Sequence, residues 1–319
     1  MLKSKSNNGN SCNFRTSIGG QALIEGIMMR GPKRQAIVCR TQDGLVEKVE
    51  DLKWIKDKYP ILGWPFIRGC VTFLDSMVKG VQALSYSAGL LPEDEQEEPG
   101  KFDLWVEKHF SAEKAQKIIM GIAVALGIAL SIGLFVILPT LITGFFKDIH
   151  QNYFVRNLVE GGFRIVIFIL YLWLCCKQKD VKRLFSYHGA EHKTIFCYEH
   201  GKELTVENVR PESRFHPRCG TSFLFVVIII SILVNSVVSV SNTLGRMGVH
   251  LLLIPVVVGI SYEINRWCGR HDNWLSAGLS APGKWLQRLT TNEPEDGMIE
   301  CAIQALKLVI PEEKGSDAW

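Results

Sequence analysis

Stretches without a single charge alternate with mixed polar ones along this chain, and the longest of them have the length of membrane helices. From Ile118 to Phe146 no residue is charged over 29 positions. As a helix that stretch would run to roughly 43 Å, beyond the roughly 30 Å of a hydrocarbon core. The pattern predicts a first span over 118–146 that tilts or breaks at Pro139, which brings no N–H to the helix. Thr221–Leu244, with FLFVVIIISILV at its centre, predicts another span over 221–244. Two further stretches are shorter. Ile165–Cys176 reaches spanning length, as 158–176, only if Glu160 and Arg164 snorkel to the surface. Met247–Tyr262, with Pro255 inside, gives a span over 247–264. Asn235, His250 and Glu263 are the notable polar groups within these segments, and with no charge at mid-membrane an ion pathway is not expected.

Finer periodicities fill the rest. QAIVCRT over Gln35–Thr41, the turn Gln42-Asp43-Gly44 and Leu45–Glu50 alternate as a β-hairpin does. Beyond Pro65, apolar residues recur at Ile67, Cys70, Val71, Leu74, Met77, Val78, Val81, Leu84, Ala88 and Leu91, which predicts an amphipathic helix over 66–91. Its apolar stripe suits packing on the hairpin or lying in the bilayer interface. The acidic, proline-bounded stretch PEDEQEEP marks a linker over 92–101, followed by a pre-membrane helix over 102–117. Past the last span, Trp267, Trp274 and Trp285 suit the membrane interface, and Glu295–Ile310 reads as a soluble helix with Thr291 or Asn292 as its cap.

Composition narrows the class. With 47% apolar and 21% charged residues among 319, a disordered or low-complexity chain is excluded, although residues 1–16 read as a disordered polar start. A net charge of +4 is too small for a dedicated nucleic-acid binder, so no nucleic-acid partner is expected. Nine scattered cysteines argue for a reducing compartment, and the polar start shows no signal peptide. Lys and Arg crowd the 177–220 loop, while Gly245–Met247 holds only Arg246; by the positive-inside rule the loop is cytoplasmic. The expected fold is therefore an α-helical polytopic membrane protein with four transmembrane helices and a small α+β cytoplasmic N-terminal domain, 17–91, containing the hairpin. It would sit in the inner (plasma) membrane with both termini cytoplasmic, the tail being 265–319, and with lipid and other membrane proteins as its expected partners.

Chemistry concentrates in the 177–220 loop, which carries His188-Gly-Ala-Glu191-His192 and then His216-Pro-Arg-Cys219-Gly. On a helix, His188 and His192 stand one turn apart on one face, and His-x-x-Glu-His is the inverted zincin pattern, with the glutamate handling a metal-bound water's proton. His216 and Cys219 are also of zinc-ligand type. The bland alternative leaves the histidines hydrogen-bonded in a polar loop with Cys219 a small buried thiol. Near the N-terminus, the glycine-rich stretch around Glu25 and Arg30 matches neither a Walker loop nor a dinucleotide fingerprint. It reads as glycine-permitted turns or, if it faces the loop, as an acid (Glu25) and an anion clamp (Arg30).

GGQALIEGIMMRGP (19–32), HGAEHK (188–193), HPRCGTS (216–222) and PGKWLQRLTTNEP (282–294) occur in this order. On these motifs, covering about Ile18 to Leu308, the chain resembles the YqhQ-like family of bacterial membrane proteins, a domain of unknown function. The resemblance implies the membrane architecture and a predicted metal-dependent enzyme, a label that rests on residues of this kind rather than on a reaction. Two functions follow from the residues. The first is a cytoplasm-facing scaffold or membrane-protein assembly factor with a structural site for Zn2+ or another divalent metal. The alternative is a membrane-embedded metal-dependent hydrolase in which His188, His192 and His216 or Cys219 bind the metal, Glu191 is the general base, and the substrate is a lipid headgroup or a membrane-proximal peptide.

Overall fold

The structure is a computed structural model that describes residues 14–53, 59–92, 100–146, 152–240, 242–271, 273–313 and 315–318. In chain order the elements are β1 (Gly19–Leu23), β2 (Gly26–Arg30), β3 (Arg34–Thr41), β4 (Gly44–Asp51), α1 (Ile67–Ala88), α2 (Lys101–His109), α3 (Ala112–Ile132), α4 (Leu138–Gly144) and α5 (Tyr153–Cys175). There follow α6 (Lys179–Glu199), α7 (Val206–Val209), α8 (Gly220–Ser236), α9 (Thr243–Leu252), α10 (Ile254–Arg270), α11 (Trp274–Thr290) and α12 (Asp296–Lys307). The chain is mostly helical with one small antiparallel sheet, and it divides into two compact units that do not follow its linear order. The acidic stretch 93–99 and the first 13 residues lie outside the described part.

The first unit combines the N-terminal 54 residues, Lys182–His216 and Thr290–Trp319. Its sheet runs in the order β1-β2-β3-β4, all antiparallel. The expected hairpin is β3–β4, closed by Gln42-Asp43 with Thr41 opposite Gly44, whose φ of +126° only glycine tolerates. The glycine-rich stretch before it, read from sequence as turns, is a second hairpin, β1–β2, with Leu23 opposite Gly26. Glycines there mask the strand alternation. They are required by close packing: a Cβ on Gly26 would meet Val38 O and Cys39 Sγ at 2.6 Å. Helix α12 lies on β2 and β3 and buries Met298, Ile299, Ala302, Ile303 and Leu306 with Ile27, Met29, Ala36 and Val38 as one core. Its cap is Glu295, not Thr291 or Asn292, because Asn292 is committed to Lys182 O and Phe185 O. Of the expected disordered start, Thr16 is buried and bridges Ala318, with its hydroxyl on Asp317.

The second unit holds residues 55–181 and 217–289. Here α3 continues through a π-helical turn, Gly133–Ile137, into α4, giving one apolar helix from Lys114 to Gly144. The break falls just before Pro139, as expected. The Phe135 carbonyl, four residues back from the missing N–H, accepts from Arg164 Nε at 2.8 Å. This helix and α5 are long and apolar enough to cross a membrane, and α9 with α10, bent by 44°, qualifies only as a pair. Two or three candidate spans therefore stand by length and composition, where the sequence suggested four. The segment with the best apolar run, α8, is only 17 residues, about 25 Å. It stops at Ser236 because Asn157 Nδ2 takes the carbonyls of Asn235 and Val238 at 2.7 and 3.0 Å, in place of further helical N–H groups. Outward faces such as Leu126, Ile128, Leu130, Val166 and Leu170 are exposed, a surface suited to lipid rather than water.

Two expectations about charge change here. Glu160 and Arg164 do not snorkel: they are buried, 2% and 7% exposed, and turn inward. Arg246 is not in a connecting loop but in the first turn of α9, also buried. Helix α1 belongs to this unit and packs on α10 through small residues, since a Cβ on Gly69 would meet Tyr262 Cβ at 2.7 Å. Arg68 forks onto Glu263, while Leu74, Met77 and Val78 stay exposed.

Candidate metal centre

Helix α6 carries the His-Gly-Ala-Glu-His motif as the sequence predicts. His188 and His192 stack one turn apart with ring centroids 4.4 Å from each other. Each ring is held from behind by a backbone carbonyl: His188 Nδ1 lies 2.8 Å from Thr290 O, and His192 Nδ1 lies 2.6 Å from Arg214 O. A carbonyl oxygen can only accept, so both Nδ1 atoms carry the proton, and in the neutral ring Nε2 keeps the lone pair. This is the outer-shell support that metal-ligating histidines have. His192 is 1% exposed, and its Nε2 has no hydrogen-bond partner among the described residues. Ligand nitrogens of the two rings lie within 4.8 Å of each other, and both rings belong to the first unit, whereas Cys219, three residues beyond His216, falls in the second.

His216 stands elsewhere. Its ring lies 5.6 Å from that of His192 and edge-on to Phe196 at 4.7 Å, and its Nε2 is 3.6 Å from Glu199 Oε2. Glu199 is itself buried and accepts from Thr16 N at 3.0 Å. Glu191, 5% exposed, accepts from Gly20 N at 2.9 Å. Only glycine allows that approach, because a Cβ on Gly20 would come within 2.9 Å of Glu191 Cδ and 2.7 Å of Met28 O.

The carbonyls behind the histidines are fixed in turn. Gly189 lets the segment after α11 press against α6, where a Cβ would sit 2.0 Å from Asn292 O. Arg214 donates to Thr291 O, Lys193 reaches Arg210 O at 2.8 Å and Glu293 at 2.7 Å, and Arg210 forks onto Asp296 at 2.7 and 3.0 Å. Several basic residues read from sequence as a cytoplasmic charge signal are thus also local ties. These ties join segments distant in sequence, so no motif could have announced them.

Glu25 sits in the turn between β1 and β2 with φ +50°. Its carboxylate takes both Nε and Nη2 of Arg183 and the Tyr187 hydroxyl, the last at 3.2 Å. Burial, then the neighbouring Glu25 charge, hold the Tyr187 phenol well above its ordinary range, so it stays a donor. Arg30 closes β2 opposite Gln35.

Residues 64–312 match the family described as "Protein of unknown function (DUF1385)". A Bacillus subtilis (strain 168) protein described as "Uncharacterized protein YqhQ" is 31% identical over 292 residues, covering 90% of this chain and 90% of that protein. No solved structure matches the chain. The resemblance read from the four motifs is confirmed by these matches.

Proposed function

Starting from a chain that belongs to the DUF1385 family of proteins of unknown function, we propose that it is a multi-pass inner-membrane protein with four spans that holds a divalent metal, zinc by its donor set, in an open and hydrolytic site on the cytoplasmic side. His188 and His192 would be two of the ligands, and Cys219, by its residue type and its place in the HPRCG motif, the third. The observation that carries the reading is the pair of Nδ1–carbonyl bonds, which leaves both Nε2 lone pairs available, the one on His192 buried with no donor to it among the described residues. Leaving a buried polar atom unpaired costs about 1–3 kcal/mol, a cost that a ligated metal removes.

Three ligands favour the hydrolase over the closed scaffold, because tetrahedral zinc with three protein ligands keeps a position for water. A zinc ion supplies a bound water of pKa near 7. Glu191, anchored by Gly20 N–H beside His192, is the group we assign as the base for that water, with a bond at the membrane surface as the substrate. Glu25 is assigned a positioning role through Arg183 and Tyr187, and Arg30 remains a candidate anion clamp. One observation supports the structural scaffold as a second reading: the His216 ring is only 5.6 Å from His192, close enough for a small shift to bring in a fourth ligand.

Elemental analysis and X-ray absorption on the full chain in detergent separate the two. We expect about one zinc per chain in a shell of two nitrogens, one sulfur and one oxygen, zinc retained in Glu191→Gln, and zinc lost in His192→Ala. A three-nitrogen, one-sulfur shell that His216→Ala disrupts establishes the scaffold reading instead. Folded protein that takes up no zinc ends both.

A further inference from the structure

The second unit contains a polar cluster that the metal centre does not use. Along α5, Arg156, Asn157, Glu160, Gly161 and Arg164 form its buried face at i, i+4 and i+8 spacing, beginning about 5 Å from the start of the helix. The two oxygens of Glu160 are fully engaged. Oε1 accepts from Thr140 at 2.9 Å and Arg164 at 3.3 Å, and Oε2 accepts from Arg246 and, at 3.4 Å, from Thr143. Arg164 also gives Nε to Phe135 O and Nη1 to Ser231. Donors from three helices, α4, α5 and α9, thus converge on this one carboxylate.

The donors, by contrast, are in excess. Arg156, Arg164 and Arg246 face one buried carboxylate among the described residues of this unit, leaving two positive charges uncompensated even with His250 neutral. Arg246, 2% exposed, gives one nitrogen to Asn157 and Glu160, but its Nη1 has no partner among the described residues. Arg156, also 2% exposed, has an unpartnered Nε and no ion pair among the described residues, and it lies within electrostatic range of both Arg246 and His250. His250 leaves Nε2 without a partner among the described residues, and its Nδ1 is 3.2 Å from Glu160 Oε1.

Buried like charges of this kind persist when something of opposite charge joins them. An excess of two suits a phosphate group, which carries about −1.5 to −2 as a monoester or free ion, and guanidinium forks match its several acceptor oxygens. We propose that Arg156, Arg246 and His250 bind a phosphate group inside the helical unit, supplied either by free phosphate or by a lipid headgroup.

The test uses the full chain, purified in neutral detergent and phosphate-free buffer, in the His192→Ala background so that zinc cannot bind the probe. Added orthophosphate should raise the melting temperature saturably, and Arg156→Met should weaken that binding at least tenfold. Arg246→Gln should do the same, but it also strips Glu160 of a partner and can fail to fold, which is why Arg156→Met carries the decision. If orthophosphate has no effect but phosphatidic acid, whose headgroup is a phosphomonoester, and not phosphatidylcholine, stays bound in native mass spectra in an Arg156-dependent way, the phosphate belongs to a lipid. If neither probe binds folded protein, or if Arg156→Met binds as the parent does, the proposal is overturned. In that case Arg156→Met should also melt no lower than the parent in every buffer, since it removes an uncompensated charge.

Discussion

Replacing Gly189 by alanine sets two effects of opposite sign against each other. Gly189 lies inside α6, and in an unobstructed helix the change would stabilise by about 0.5–1 kcal/mol. The tertiary contact opposes this. An alanine Cβ would stand 2.0 Å from Asn292 O, a backbone atom, and contacts under 3.0 Å are essentially never tolerated, so the strand of chain must retreat by about 1 Å. Overpacking of that order costs about 1–3 kcal/mol. Retreat also weakens the Asn292 bonds to Phe185 O and Lys182 O, at about 0.5–1.5 kcal/mol each. The clash wins, for a net loss of about 2–4 kcal/mol. The same movement shifts Thr290, whose carbonyl holds His188 Nδ1, and loss of such support lowers metal affinity about 10–100-fold. Thermal unfolding and competitive zinc titration against a chelator read both effects. Gly121→Ala, with nothing within 4 Å of the new methyl, is the control and should be neutral or slightly stabilising. If Gly189→Ala is as stable as the parent and binds zinc equally well, the close contact and the hold of the Thr290 carbonyl on His188 are both refuted.

Three further outcomes follow from the first unit. Burial, aided by nearby Glu25 for Cys39 and by Cys39 for Cys301, pushes these two thiols up to about 12 from 9.0. The unfolded chain therefore ionises first, and stability should fall as pH rises from about 9 toward 12, by up to about 1.4 kcal/mol per pH unit per thiol; flat denaturation midpoints between pH 8 and 10.5 would contradict this. Arg183→Ala should cost no more than about 1 kcal/mol, because Arg183 is 48% exposed, and a double-mutant cycle with Glu25→Gln should return a coupling of that size; a coupling above about 3 kcal/mol would show the pair to be far better shielded than its exposure implies. For topology, Asp43→Cys at the tip of the β3–β4 turn should react with a membrane-impermeant maleimide only after lysis, and labelling of intact cells would invert the orientation. Native Cys197 cannot serve for this, being 0% exposed.

Local pattern was enough for the elements with a regular period. The apolar run to Phe146, the break near Pro139, the β3–β4 alternation, the stripe of α12 and the one-turn spacing of His188 and His192 depend on neighbours within a few residues, and such neighbours are adjacent in any fold. The β1–β2 hairpin was hidden because its glycines answer to contacts from β3 and α6 rather than to strand propensity. Length misled at α8, where Asn157, from another helix, ends an apolar segment that hydropathy would have continued.

Charge was the least legible property. The sequence could count Glu160, Arg164 and Arg246 but could not tell a snorkelling side chain from a buried one, since that depends on which helix lies opposite. Likewise it named His188, Glu191, His192, His216 and Cys219 as candidates, while the hydrogen bonds decide among them. Carbonyls of Thr290 and Arg214 set the two tautomers, Gly20 anchors Glu191, and Glu199 stands beside His216. Residue types and their spacing are written along the chain; donor and acceptor pairs closed across scores of intervening residues exist only once the chain has folded.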